Sequence, residues 1–355
     1  MSDKYLTISE ASKKLKVSKE TLRRWDNSGK FPTSRHPMNN YRVYDEDQLH
    51  ELAEELQLEY KFKSTKELEV RPFFETDYGR LFNIDAIKLL QSLDESSVDL
   101  IFADPPYNIK KAEWDTFSSQ QEYVEWSMAW IKEANRVLKS TGSLYICGFS
   151  EILADIKWAS SSLFKGCKWL VWFYRNKGNL GNDWGRSHES ILHFRKSKDF
   201  TFNIDEARIP YNEHTLKYPK RTQADSSQFS NGKKSKYVWE PHPLGAKPKD
   251  VFDIPTISNG SWEKYPHETQ KPVELLRKII LSSSNEDDLV LDPFGGSGTT
   301  YAVSEAYKRK WIGSELERNY CEIIRERVTD EIHIARIESE KDTNESNKRR
   351  KKLKE

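Results

Sequence analysis

The segment LVLDPFGGSGTT at residues 289–300 constrains the fold more than any other part of this 355-residue chain. A short apolar run ends in Asp292, glycines at 295, 296 and 298 turn the backbone sharply, and a helix-forming stretch follows. Strand, glycine-rich turn and helix in that order let the backbone approach a bound nucleoside closely. About 20 residues further on, WIGSE at 311–315 closes a second apolar strand with a carboxylate, the placement expected for binding ribose hydroxyls. The turn is not G-x-G-x-x-G, and no Lys-Ser or Lys-Thr follows it. Both a dinucleotide fold and a phosphate-cradling P-loop are thereby weakened.

Other apolar runs read as strands: VDLIFA at 98–103, GSLYIC at 142–147, and residues 169–174 and 190–195. Helical patterns at 121–138, 273–281, 299–307 and 320–334 separate many of them. This alternation predicts an α/β fold, a doubly wound and mainly parallel sheet, over residues 77–335. Residues 200–262 interrupt the rhythm with Pro, Asn, Ser, Lys and aromatic residues and read as a loop-rich insertion. Residues 59–76 are polar enough for a linker, and residues 336–355 hold too little apolar surface to fold, which predicts a disordered charged tail.

Residues 1–58 form a separate pattern. Ser9 is a candidate cap for a first helix, and a second helix near Lys19 turns Leu22 and Trp25 inward and Arg23 and Arg24 outward. Gly29, a Pro-rich loop and the extended segment YRVY at 41–44 complete two helices and a wing. Lys and Arg number 57 against 56 Asp and Glu, so overall charge does not argue against a nucleic-acid partner, and local basic clusters permit one. No apolar run approaches the roughly 18 residues of a membrane span, and the N-terminus lacks a secretory pattern; the expected location is cytoplasmic, with no membrane partner. Cys147, Cys167 and Cys321 follow no metal-ligand spacing, so no metal site is expected.

The first chemical constellation is DPPYN at 104–108, directly after a buried strand and therefore at the carboxyl end of the sheet. Pro105 and Pro106 fix the backbone and remove two N–H donors, leaving a carboxylate and carbonyl oxygens as acceptors beside an aromatic ring. An aromatic amine is a poor nucleophile because its lone pair is delocalised into the ring. Asp104 and the Pro105 carbonyl, taking both amino hydrogens, would free that lone pair, with Tyr107 stacking on a base flipped from the duplex.

With both motifs present, residues 78–330 resemble the amino-methyltransferases of bacterial restriction-modification systems, which methylate adenine N6 or cytosine N4 in DNA. The order, DPPY before the glycine turn with an insertion between them, is similar to the β class of that family. The resemblance implies a seven-stranded sheet, S-adenosylmethionine as cofactor and duplex DNA as substrate. It places Phe294, Gly295, Gly296, Ser297, Gly298 and Thr299 around the cofactor, with Asp104 nearby, Asp292 near its amino acid end and Glu315 on its ribose. HETQKP at 267–272 is similar to the family's H-P-T-Q-K-P segment, which would bring Thr269, Gln270 and Lys271 to the methionine end; Glu268 replaces the usual proline. Asn83-Ile84-Asp85 resembles the family's G-D segment without its glycine, so Asp85 is either a cofactor ligand or a helix cap.

In that family an aspartate at the first position of DPPY leans towards adenine, so Asp104 favours N6-adenine methylation by the modification enzyme of a restriction-modification system. A cognate endonuclease and a homodimer are the partners it suggests. The alternatives are cytosine N4, or a regulator whose methyltransferase domain is inert. The insertion at 200–262 lies where the β class carries its target-recognition region, and Lys233, Lys234 and Lys236 would anchor phosphates there. The first 58 residues resemble the winged helix-turn-helix of MerR-type regulators and excisionases, which implies Thr21, Arg23 and Arg24 at the major groove or its phosphates and Arg42 on the wing near the backbone. Trp172, Tyr174, Trp184, His188 and Glu189 flank a hairpin before the insertion; core packing is the expected fate of the aromatics, and none of the five is assigned a catalytic role.

Overall fold

The first helix starts at a capping box. Thr7 Oγ1 accepts from the Glu10 N–H at 3.4 Å, and the Thr7 N–H donates to Glu10 Oε2 at 2.8 Å, so the cap is Thr7 and not Ser9. The computed structural model describes residues 5–15, 17, 19–27, 29, 31–36, 41–45, 48–49, 52, 71–108, 115–178, 181–219, 221–222 and 238–339. The chain divides into two units, Met1–Glu69 and Val70–Glu355.

In the first unit, strand β1 (Tyr5–Thr7) leads into helix Ile8–Leu15, helix Lys19–Asn27 follows, and β2 (Ser34–Arg35) and β3 (Arg42–Asp45) make an antiparallel wing in the order β1-β3-β2. Ala11, Leu22, Phe31, Tyr44 and Leu49 form its buried core, with Trp25 packed against them. Arg23 and Arg24 face solvent, as their spacing around Leu22 requires. Arg42 stands on the wing strand β3. Its Nε donates to Asp26 Oδ2 at 2.6 Å and its Nη2 to Asn27 Oδ1 at 2.9 Å, so its guanidinium also ties the wing to the second helix.

The second unit starts earlier than the pattern suggested. Strand β4 (Phe74–Glu75) falls in the segment read as linker and pairs antiparallel with β5 (Gly79–Phe82), because Phe74 packs its ring against Trp311. The strands β6 (Val98–Ala103), β7 (Leu138–Gly148), β8 (Gly166–Gly178) and β9 (Arg186–Arg195) follow, then the small pair β10 (Arg221–Thr222) and β11 (Val238–Trp239). The last three are β12 (Val251–Asp253), β13 (Leu289–Asp292) and β14 (Lys310–Ser314). The large sheet has nine strands in the order β12-β8-β9-β7-β6-β13-β14-β5-β4, not seven, the short edge strands β12 and β4 being the additions. Only β9 and β4 run against the rest.

Both faces of the sheet are covered. Leu100 and Phe102 of β6 join one core with Leu275, Leu276 and Ile279 of helix Val273–Ser283, while Ile101 and Ala103 join another with Trp130 and Ile131 of helix Gln120–Val137. That period-two split is why the run from Leu100 to Ala103 is apolar throughout. The tail also shortens: helix Glu331–Ser339 runs through Arg336–Ser339, held by the fully buried Ile337 and by Arg336 over the Trp262 ring at 4.5 Å. Residues 340–355 lie outside the described residues, as do Lys233, Lys234 and Lys236 of the insertion. Among the described residues no helix is long and apolar enough to cross a membrane.

Candidate active site

The strand order reverses between β6 and β13. From β6 the chain goes to β7 on one side, and from β13 it goes to β14 on the other, so the carboxyl ends of β6 and β13 open a crevice. Asp104 follows β6, Asp292 ends β13 and Glu315 follows β14, which brings both sequence motifs to one cavity of about 320 Å³. Its wall includes Asp85, Asp104, Pro105, Pro106 and Tyr107, together with Thr269, Gln270, Lys271, Asp292 and residues of the glycine turn, and Glu315.

The DPPYN turn is held from several sides. The N–H groups of Tyr107 and Asn108 donate to Asp115 Oδ1 at 2.6 and 2.7 Å, and the Tyr123 hydroxyl donates to the Pro106 carbonyl at 2.6 Å. Asn108 sits at φ 56, a left-handed conformation that asparagine tolerates better than most residues, and its Oδ1 accepts from the Phe117 N–H. The Pro106 carbonyl is thus occupied. Asp104 Oδ1 accepts from the Tyr107 hydroxyl at 2.6 Å and Oδ2 from Lys271 Nζ at 2.6 Å.

Lys271 is the largest departure from the expected arrangement. Its side chain is 6% exposed, and its ammonium is paired with Asp104 and, at 3.4 Å, with Glu189. Burial pulls this ammonium down, but the two carboxylates outweigh burial and hold it above its ordinary value. Gln270 is also committed to the protein: its side chain bonds the Glu263 carbonyl and accepts from the Tyr265 N–H at 2.8 Å, folding the HETQKP segment. Glu189, assigned no catalytic role from sequence, therefore stands beside Asp104, Tyr107 and Lys271. Its place on β9 opposite Trp172 of β8 brings it there, a pairing invisible without the sheet register.

The glycine turn supplies the other half. Gly296 and Gly298 have φ of +52° and +75°, and a Cβ on Gly296 would come within 3.2 Å of His267 Nε2. Glu315 Oε2 accepts from the Gly296 N–H at 2.7 Å and Oε1 from the Glu317 N–H at 2.8 Å. Burial raises its carboxyl, and these donors work against that rise. Asp292 takes the Thr300 hydroxyl at 2.5 Å and the Phe294 N–H at 3.0 Å, yet its burial pushes it up to about 8. Phe294 packs on Trp126 and Trp130 and gives the cavity an apolar wall. Arg327, fully buried, donates to the Ser297 carbonyl at 3.1 Å and to Thr299 Oγ1 at 2.9 Å, so these two side chains are held from behind. Asp85 caps helix Ala86–Ser92, its Oδ1 accepting from the Ile87 and Lys88 N–H groups at 3.0 and 3.2 Å, and it also borders the cavity.

An apolar wall, a turn without Cβ atoms, and carboxylates at two places fit a nucleoside joined to an amino acid, which is the form of S-adenosylmethionine. Residues 98–326, more than half of the chain, match the family described as DNA methylase, and residues 7–44 match the MerR family regulatory protein. The type II methyltransferase M.HpaI of Haemophilus parainfluenzae is 34% identical over 260 residues, 72% of this chain and 75% of that one. M1.MboII of Moraxella bovis is 33% identical over 256 residues, 69% of this chain and 94% of that one. The DNA adenine methyltransferase YhdJ of Escherichia coli (strain K12) is 36% identical over 247 residues, 67% of this chain and 79% of that one. Among solved structures, the cytosine-N4-specific PvuII DNA methyltransferase aligns with a TM-score of 0.57 at 22% identity, over 76% of this chain and 94% of that one, a likeness of fold. Behind a MerR-like helix-turn-helix, then, stands a catalytic unit built at the crevice of a doubly wound sheet, and the chain belongs to the family of S-adenosylmethionine-dependent DNA methylases that act on N6 or N4 amino groups.

Proposed function

We propose that the chain methylates N6 of adenine in duplex DNA as the modification enzyme of a restriction-modification system. The observation that carries this reading is a single cavity bordered by both Asp104–Tyr107 and the glycine turn with Glu315. A methyl donor held by the second group meets an amino group held by the first. S-adenosylmethionine supplies, when bound, a methyl group on a positively charged sulfur, open to attack by nitrogen.

Residues of this chain do the rest. Gly295, Gly296 and Gly298 let the backbone lie close to the nucleoside, Phe294 covers the adenine ring, and Glu315 takes the ribose hydroxyls. Its two oxygens already accept one N–H each, which orients them and leaves further lone pairs. Asp292 receives the ammonium of the amino acid end, and Ser297 and Thr299 shape the turn. Asp85, Thr269 and Gln270 border the cofactor, Asp85 and Gln270 mainly by positioning backbone. Asp104 and the Pro105 carbonyl accept the hydrogens of the target amino group, and Tyr107 lies against the base. Lys271 acts on Asp104 in place of the cofactor, holding its Oδ2 and so orienting the acceptor.

The adenine assignment rests on Asp104 and on the likeness to a relative named an adenine methyltransferase. Incubating the protein with S-adenosylmethionine and unmethylated duplex DNA of mixed sequence, followed by mass spectrometry of the nucleosides, tests it: N6-methyldeoxyadenosine is expected, and N4-methyldeoxycytidine would keep the site but change the base. For the N-terminal unit, Thr21, Arg23 and Arg24 form a second DNA contact, one that lengthens the footprint or represses the system's own promoter. Lys233, Lys234 and Lys236 of the insertion anchor DNA phosphates. A cognate endonuclease and a homodimer belong to the same reading, as does a cytoplasmic location.

A further inference from the structure

Two carboxylates in the site share two donors. The Tyr107 hydroxyl lies 2.6 Å from Asp104 Oδ1 and 3.1 Å from Glu189 Oε2, while Lys271 Nζ lies 2.6 Å from Asp104 Oδ2 and 3.4 Å from Glu189 Oε2. An ammonium has three protons and can serve both carboxylates at once. A phenol has one proton and can serve only one of them well. The shorter contact directs it to Asp104. The Glu189 side chain is 17% exposed, and its partners among the described residues are these two donors, both shared with Asp104.

We propose that Glu189 is a positioning residue for methyl transfer, the place to which the Tyr107 hydroxyl turns when Asp104 takes the proton released by the methylated amino nitrogen. The inference rests on the reading that Asp104 holds the target amino group. The N–C bond forms as the C–S bond of the methyl donor breaks, its electron pair remaining on sulfur. An N–H bond of the resulting cation then breaks, its electron pair returning to nitrogen, and the proton binds Asp104 Oδ1. A protonated Oδ1 has no need of the Tyr107 hydroxyl, which rotates about its C–O bond to Glu189 and keeps its own proton. Lys271 remains a cation throughout and holds both carboxylates in reach. Without Glu189 the displaced hydroxyl would keep only the weaker acceptor of a neutral acid in place of a carboxylate, so protonation of Asp104 would be opposed.

Other titratable groups face this pair: Cys147 from β7, Tyr174 from β8, Tyr123 from helix Gln120–Val137, and His267 and Asp292 from the cofactor side. Burial raises the Cys147 thiol and the Tyr123 and Tyr174 hydroxyls, lowers the His267 imidazole and pushes the Asp292 carboxyl up to about 8.

The test is the single-turnover methylation rate of the full chain between pH 5 and 9, with bound DNA and saturating S-adenosylmethionine, for wild type, Glu189→Gln and Glu189→Asp. Glu189→Gln should lower the plateau by about tenfold or more and move the acid limb of the rate to lower pH, because a negative charge beside the proton's destination is gone. Glu189→Asp should recover part of both. Tyr107→Phe and Glu189→Ala, alone and combined, give a second reading: the combined loss should be smaller than the product of the two single losses, since each removes the Tyr107–Glu189 contact. A Glu189→Gln enzyme with the wild-type rate and limb, or additive losses in the double variant, would overturn the proposal. Asp104→Ala run beside them separates the two levels: an inactive Asp104→Ala with an unaltered Glu189→Gln rejects this inference alone, whereas an active Asp104→Ala rejects the Asp104 reading itself.

Discussion

Lys271 Nζ stands 2.6 Å from Asp104 Oδ2, across 167 residues of sequence, and joins the HETQKP segment to the DPPYN turn. The pair binds the segment expected at the cofactor to the acceptor expected at the base. Thr299 adds to that link, since its hydroxyl donates to the Lys271 carbonyl at 3.0 Å.

Removing the ammonium should damage both stability and rate. Lys271→Met leaves Asp104 and Glu189 as two carboxylates with little solvent and no cation between them, a loss of roughly 3 kcal/mol or more by analogy with broken buried pairs. Thermal melting should show it as a lowered Tm. The single-turnover rate at a temperature where the variant is folded should fall by about 100-fold, with S-adenosylmethionine affinity changed far less.

Asp292 gives a pH signature. Its native carboxyl is pushed up to about 8 by burial, from an ordinary value of 3.8. A carboxyl raised in the native state contributes stability that is fully present below the unfolded value and is lost as pH rises through the native one. Wild type should therefore lose stability against Asp292→Asn between about pH 4 and pH 8. Denaturant melts at pH 5 and pH 9 read the difference directly. The same substitution should weaken cofactor binding, because the carboxylate assigned to the ammonium is gone.

Glu315 should matter to the cofactor alone. Glu315→Gln keeps the shape of the side chain but replaces one acceptor with a donor, which faces either the Gly296 or the Glu317 N–H. Calorimetry should show S-adenosylmethionine affinity reduced by about tenfold or more, the cost of one misplaced buried polar group. Affinity for DNA should be unchanged.

The N-terminal unit is tested by charge. Arg23→Ala with Arg24→Ala removes two exposed cations from helix Lys19–Asn27. DNA binding should weaken, and the slope of log affinity against log salt should fall by about two, while cofactor affinity stays the same. Unchanged DNA affinity and unchanged promoter activity would remove this unit from DNA recognition.

Local pattern made the motifs legible but not their partners. The run VDLIFA, the glycine turn and the carboxylate of WIGSE announced the crevice because each depends on neighbours in sequence. Leu22 and Trp25 likewise faced inward as their spacing required. The links that complete the site come from sheet order and register. Glu189 reaches Tyr107 across 82 residues, and no periodicity distinguishes it from an ordinary hairpin residue. The bond from Arg42 to Asp26 joins residues 16 apart, and the cap falls on Thr7, two residues before Ser9, because Thr7 and Glu10 bond each other. The edge strand Phe74–Glu75 is two residues long, too short for any pattern to mark.

The central claim is that this site methylates adenine N6 in DNA, and the most direct measurement uses a whole genome, which offers every possible target sequence. The chain and its Asp104→Ala variant would be expressed in a bacterial host free of DNA methylation, and the genomic DNA digested to nucleosides for mass spectrometry. N6-methyldeoxyadenosine in the wild-type sample and none in the Asp104→Ala sample is the predicted result. N4-methyldeoxycytidine, or an equal level of N6-methyldeoxyadenosine in both samples, would contradict it.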